Sequence, residues 1–256
     1  LELETRLRHA LEQQQFFLHY QPLLSVADGR VLGVEALLRW QPSGEAVIPP
    51  SRFIPVAEES GLIVPIGEWV LRSACAQARA WLDRGCSPGM LAVNLTVQEL
   101  HRPGIAERVE TILRDTGLPP DHLELEITET GLMQQNDRAE GILNALKGLG
   151  VRLAIDDFGT GYSSLAYLKR FSIDKLKIDR SFIRDIPDDR NDKELTATIV
   201  AMAHNLGLEA LAEGVESEAQ LAFLRELGCD SFQGYLVSPA VSATDLERWL
   251  QNRGAA

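Results

Sequence analysis

Six short apolar runs, each with a polar residue at or near its end and interspersed with helical patterns, constrain this chain more than any other feature. The runs are LAVNL (91–95), HLELEI (122–127), VRLAID (151–156), DKLKID (174–179), LEALAE (208–213) and DSFQGY (230–235). Helical spacing of apolar residues falls at about 66–84, 97–116, 138–149, 192–206, 217–228 and 243–252, and Gly117, Gly150, Gly207 and Gly228 stand where helices should stop. Two further strand-like runs precede them, FFLHYQPLLSV (16–26) and RVLGVEALLRW (30–40). Ala27-Asp28-Gly29 joins them, and Asp-Gly between apolar runs signals a hairpin, so these two strands should pair antiparallel. Eight strands alternating with helices over 256 residues predict an α/β fold, a (β/α)8 TIM-like barrel with an antiparallel first strand. Leu3, Leu7 and Leu11 recur every four residues, so 1–14 reads as a helix entered partway, which could be the end of an inter-domain linker. Residues 15–256 then form the barrel domain.

The polar residues at the strand ends carry the chemistry. They are Glu35, Asn94, Glu126, Asp156 with Asp157, Lys177, Glu213 and Gln233. In a β/α barrel these ends converge on one mouth, where active sites are assembled from several strands. Carboxylates gathered there repel one another and call for a positive counter-ion, and hard oxygen donors favour Mg2+ or Mn2+. Strand alternation puts Glu35, Leu37 and Arg39 on one face, and a guanidinium there suits a phosphate. Leu123, Leu125 and Ile127 face away from Glu124 and Glu126, and Glu126 lies nearer the strand end. Asp156 and Asp157 would point apart in a continuing strand; Gly159 and Gly161 are expected to break it there.

Charge and cysteines narrow the class. Twenty-five basic against 37 acidic residues give a net charge of -12, which disfavours a DNA or RNA polymer and an anionic membrane surface as partners. Cys75, Cys86 and Cys229 show no metal-like spacing and fit a reducing compartment, so a cytoplasmic domain is expected, although the full-length protein could be membrane-anchored. The five histidines form no ligand spacing and read as structural or exposed groups.

The stretches EALLRW (35–40), NLT (94–96), EITET (126–130), DDFGTGYSSL (156–165), KIDRSF (177–182), AEGVE (212–216) and QGYLVSP (233–239) resemble, in order, the motifs of the EAL domain family. The resemblance spans roughly 16–240. NLT stands where the family more often has NLS; the candidate ligand is the Asn, so nothing changes there.

That resemblance implies a cyclic di-GMP phosphodiesterase yielding linear 5'-pGpG through a two-metal-activated water, with two Mg2+ or Mn2+ per site. By motif, Glu35, Asn94, Glu126 and Asp156 would hold one metal, and Asp157 and Glu213 a second with Asp156 bridging; Glu213 is also a candidate general base, the ligand role being favoured. Lys177 would stabilise developing charge, and Glu129 would anchor the DDFGTG loop. Gln21, Leu37, Arg39, Asp179 and Gln233 are the candidate substrate contacts, with Glu216 supporting the ligands from outside. A homodimer and an upstream sensory or GGDEF-type domain are expected. The alternative is a receptor that binds cyclic di-GMP without cleaving it; degenerate members lose ligands that are all present here.

Overall fold

The computed structural model describes residues 2–133, 136–161 and 168–254, so residues 162–165, the end of DDFGTGYSSL, lie outside the described residues. Eight strands close a barrel in chain order: β1 (Phe16–Ser25), β2 (Val31–Trp40), β3 (Met90–Leu95), β4 (Leu123–Thr128), β5 (Arg152–Phe158), β6 (Lys175–Ile178), β7 (Glu209–Ala212) and β8 (Ser231–Phe232). β1 runs antiparallel to both β2 and β8, and every other neighbouring pair is parallel. The expected barrel with an antiparallel first strand is therefore the observed one.

The described helices are α1 (Glu2–Ala10), α2 (Pro50–Glu59), α3 (Ile63–Asp83), α4 (Val97–Leu100), α5 (Ile105–Thr116), α6 (Glu129–Met133), α7 (Asn136–Gly148), α8 (Arg190–Asn205), α9 (Glu218–Glu226) and α10 (Ala243–Gly254). Two expectations need correction. The single helix at 97–116 is two, because Pro103 interrupts it and Gly104 adopts φ +78°. The last strand is two residues rather than six. Gly234 passes so close to Val215 that a Cβ there would lie 2.1 Å from its carbonyl oxygen, and the chain leaves the sheet at Gln233. Apolar spacing does not reveal α2, because its two prolines mask the helical pattern. Pro50 opens the helix, where its missing N–H costs nothing, while Phe53 and Ala57 bury its inner face.

The barrel is filled by side chains on both sides of its wall. Leu123, Leu125 and Ile127 face outward into the helical layer, at most 1% exposed. Inside, Leu23, Ala92 and Leu211 sit one inward step below Gln21, Asn94 and Glu213 and form a small apolar plug of their own. The equivalent inward positions on β4 and β6 hold a buried ion pair instead, Lys175 Nζ to Glu124 Oε1 at 2.7 Å. Arg152 extends it, 3.5 Å from Glu124 and 2.8 Å from Glu209.

Running antiparallel, β1 brings its N-terminal end to the mouth. Gln21 lies opposite Glu35, and His19 opposite Leu37. Because β8 is short, the chain beyond it returns to β1. Val241 exchanges backbone hydrogen bonds with Tyr20, and Gln21 Nε2 donates to the Ser238 carbonyl at 3.1 Å.

Candidate active site

Lys177 is the centre of the mouth. It is fully buried, and its ammonium lies 2.7 Å from Glu126, 2.9 Å from Glu213, 3.1 Å from Asp156 and 3.6 Å from Glu35. Four strands thus deliver carboxylates to one cation. Amides tie the set together: Asn94 Nδ2 donates to Glu35 Oε1 and Gln233 Nε2 to Glu35 Oε2, each at 2.7 Å. Gln233 Nε2 also stands 3.5 Å from Glu213 Oε1.

Asp157 joins this group by a route different from the one expected. The strand runs on to Phe158, so Gly159 and Gly161 do not end it at the aspartates. Asp157 itself adopts φ +54°, and the β5–β6 register slips between Ile155 and Phe158. Aspartate tolerates this left-handed conformation better than most residues, and the bulge cancels the alternation that would turn it away. Carboxylate oxygens of Asp156, Asp157 and Glu213 consequently lie within 4.8 Å of one another. Glu129, 1% exposed, accepts the Gly159 N–H at 2.9 Å, holding the segment just beyond Asp157.

The electrostatics are those of excess negative charge around one buried ammonium. Burial pushes Glu126 well above the usual carboxylate range, Glu35 adding to the effect. Burial likewise lifts Glu213 to about 8 and raises Asp157, with Asp156 reinforcing both. Burial works against Glu35 too, but Lys177 and the donors on Gln233 and Asn94 outweigh it, so Glu35 stays ionised below its ordinary value. Burial alone would lower Lys177; Asp156, Glu126 and Glu213 outweigh it and hold it well above the usual lysine range.

These residues fit divalent cations. Glu126 Oε1 and Gln233 Oε1 are buried with no hydrogen-bond partner, and both are oxygen donors beside the Asp156–Asp157–Glu213 cluster. Such orphaned acceptors are costly unless a cation or donor satisfies them.

Next to the metal-type cluster a cleft of about 400 Å3 opens between α2, α3 and the ends of β2 and β3. Asn94, Asp156 and Asp157 form one side of it, Leu37 and Arg39 another. Arg39 is half-buried and donates to the Leu38 carbonyl at 2.9 Å. Asp179 caps a short 3-10 turn by accepting the Ser181 N–H at 3.0 Å, and it acts electrostatically on Asp157. Glu216 is not brought into the group: it is exposed, and its backbone N–H is taken by Gln220 at 2.7 Å. Glu99, on the cleft wall, is not among the residues that the strand-end pattern or the motifs single out. Its one signal was the Thr96-x-x-Glu99 pattern just after Asn94, which forms a capping box.

Fold and site together define a TIM-like barrel whose acidic mouth can chelate a divalent cation. A family model described as the EAL domain matches residues 4–240, and the chain belongs to that family. It is 47% identical over 246 residues to the bifunctional diguanylate cyclase/cyclic di-GMP phosphodiesterase MucR of Pseudomonas aeruginosa, covering 96% of this chain and 36% of that protein. Cyclic di-GMP phosphodiesterase NbdA of the same species is 47% identical over 251 residues, covering 98% of this chain and 32% of NbdA. The chain thus spans about a third of the length of the curated relatives it matches. A MucR phosphodiesterase structure in complex with c-di-GMP superposes with a TM-score of 0.93 at 47% identity, covering 96% of this chain and all of that one. Among the described residues, no helix is long and apolar enough to cross a membrane.

Proposed function

We propose that this domain hydrolyses one phosphodiester of cyclic di-GMP to give linear 5'-pGpG, with Mg2+ or Mn2+ as cofactor. The observation that carries the reading is the ring of Glu35, Glu126, Asp156 and Glu213 around Lys177, with Asp157 turned toward it by a left-handed backbone. Glu35, Asn94, Glu126 and Asp156 would hold one cation, and Asp157 and Glu213 a second, with Asp156 shared. When bound, such ions polarise a phosphate oxygen and acidify water near neutral pH.

The protein's own groups supply the rest. Arg39, beside the cleft, holds a phosphate oxygen of the substrate in the ground state. Lys177 lies on the same floor as the carboxylates and cannot swing out, because it is packed on every side. As the attacking water's oxygen bonds to phosphorus and the P–O3' bond breaks, one water proton passes to the carboxylate cluster and the departing O3' takes a proton from solvent. The ammonium's charge offsets the negative charge that grows above it. Gln233 and Asn94 keep Glu35 ionised and oriented through their amide N–H groups. Glu129 fixes the segment that sets Asp157.

The domain works, in this reading, within a longer signalling protein with an upstream sensory or GGDEF-type domain, and as a homodimer. The decisive experiment is incubation with cyclic di-GMP and Mn2+, followed by chromatography for pGpG. Product formation is expected. Tight binding with no product in either Mg2+ or Mn2+ would make the domain a receptor instead.

A further inference from the structure

The chemistry above leaves Glu99 without a task, yet it is a buried carboxylate on the wall of the cleft beside Asn94 and Asp157. It is 7% exposed. Its Oε2 accepts the Thr96 N–H at 3.1 Å and the Thr96 hydroxyl at 2.7 Å, closing the cap of α4. Among the described residues no donor reaches Oε1. That oxygen lies against Gly67 of α3, where a Cβ would come within 1.8 Å of it, so only glycine leaves it this position. Arg108 is the cation that acts on Glu99, and it is too weak to offset burial, which pushes the carboxyl up to about 7. A helix cap requires one carboxylate oxygen. The second has no such partner, on a residue that is nine-tenths buried and lines a space large enough for a ligand.

We propose that Glu99 is a specificity-determining residue, its Oε1 accepting a hydrogen bond from the N1–H or N2–H edge of a guanine seated in this cleft. The inference rests on the reading of the substrate as cyclic di-GMP. Pro50, Ile54, Ile63, Ile66 and Val70 supply apolar walls suited to the faces of a planar base. This end suits a phosphate poorly, because Glu99 and Glu58 offer it no cation. Guanine offers two adjacent donors on its pairing edge. Adenine offers an acceptor, N1, beside a single amine, and a carboxylate facing that acceptor is repelled. Sites built to accept a substrate hydrogen bond discriminate strongly against analogues lacking the donor, since the buried acceptor is then left unpaired.

The test uses Glu99→Gln, whose amide oxygen can keep the Thr96 cap while its NH2 turns toward the cleft. Calorimetry in Ca2+ would compare cyclic di-GMP, cyclic di-AMP and cyclic di-inosine monophosphate, which lacks the 2-amino group. Expected is a rise of about tenfold or more in Kd for cyclic di-GMP, a loss of preference over the adenine analogue by a similar factor, and a thermal midpoint no lower than wild type. Gly67→Ala, which displaces Oε1 while keeping Glu99, should shift the preference in the same direction. If both variants bind cyclic di-GMP as wild type does, with selectivity unchanged, Glu99 is a helix cap only and the inference falls while the phosphodiesterase reading stands. If the wild-type protein neither binds nor cleaves cyclic di-GMP, both fall together.

Discussion

Glu129 Oε2 accepts the Gly159 N–H at 2.9 Å, tying the first turn of α6 to the segment that carries Asp157. Asp157 holds a left-handed backbone there, and the contact with Glu129 removes freedom that would let it relax. A hydrogen bond to a buried carboxylate contributes about 1.5–3 kcal/mol. Glu129→Ala should therefore lower turnover about tenfold or more and move the Mn2+ dependence to higher concentration, with cyclic di-GMP binding in Ca2+ retained. A metal titration that superposes on wild type would refute the anchoring role.

Asp157→Asn keeps the size of the side chain but removes a charge from the cluster with Asp156 and Glu213. Arg39 would still hold the substrate phosphate in the ground state, and Glu35, Asn94, Glu126 and Asp156 would still hold the first cation. The loss should fall on turnover, at least ~100-fold or about 2.7 kcal/mol, with binding measurable. Calorimetry beside single-turnover kinetics separates the two. Unchanged turnover would mean that the second cation is misassigned.

Chelation should abolish activity, and Mg2+ or Mn2+ should restore it. Ca2+ should support it poorly, since it prefers more oxygens at longer range than this crowded mouth provides. Full activity in excess chelator would remove metal from the mechanism.

Lys175 neutralises Glu124 inside the barrel at 2.7 Å, below the site chemistry. Lys175→Met leaves the 0% exposed carboxylate with only Arg152, at 3.5 Å. Removing one partner of such a pair costs about 3 kcal/mol or more. Denaturant unfolding should register that loss while kcat at low temperature stays near wild type. Stability within ~0.5 kcal/mol of wild type would show the pair to be dispensable.

The Glu99 carboxyl is lifted from 4.5 to about 7 by burial. A raised folded-state value means the native state holds the proton more tightly than the unfolded chain. The corresponding stability is complete below about pH 4.5 and is lost as pH rises through about 7. Glu99→Gln carries no such titration, so its thermal midpoint should gain on wild type by about 4 °C or more between pH 5 and pH 8. Glu213 is present in both proteins and cancels from the difference. A pH-independent gap would place the Glu99 proton elsewhere.

Much of the barrel could be read directly from the chain. Alternation of two along HLELEI separates Leu123, Leu125 and Ile127 from Glu124 and Glu126 before any fold is known, because a strand has only two faces. The Asp-Gly hairpin sets the antiparallel start for an equally local reason. The polar residues at strand ends likewise identify Glu35, Glu126, Asp156, Lys177 and Glu213 as members of one mouth, since barrel closure leaves those ends nowhere else to go.

What closure alone decided lies where distant segments approach one another. Asp157 reaches the cluster by a bulge against β6 rather than by the glycines that follow it. The short β8 follows from the contact of Gly234 with Val215, nineteen positions earlier. Glu216, part of a motif that resembles the family's, faces solvent. Glu99 can set its Oε1 on the cleft wall only because α3 presents Gly67 to it. Local patterning follows from the periodicity of a single segment, whereas close approach and desolvation depend on which side chains two segments bring to the same point.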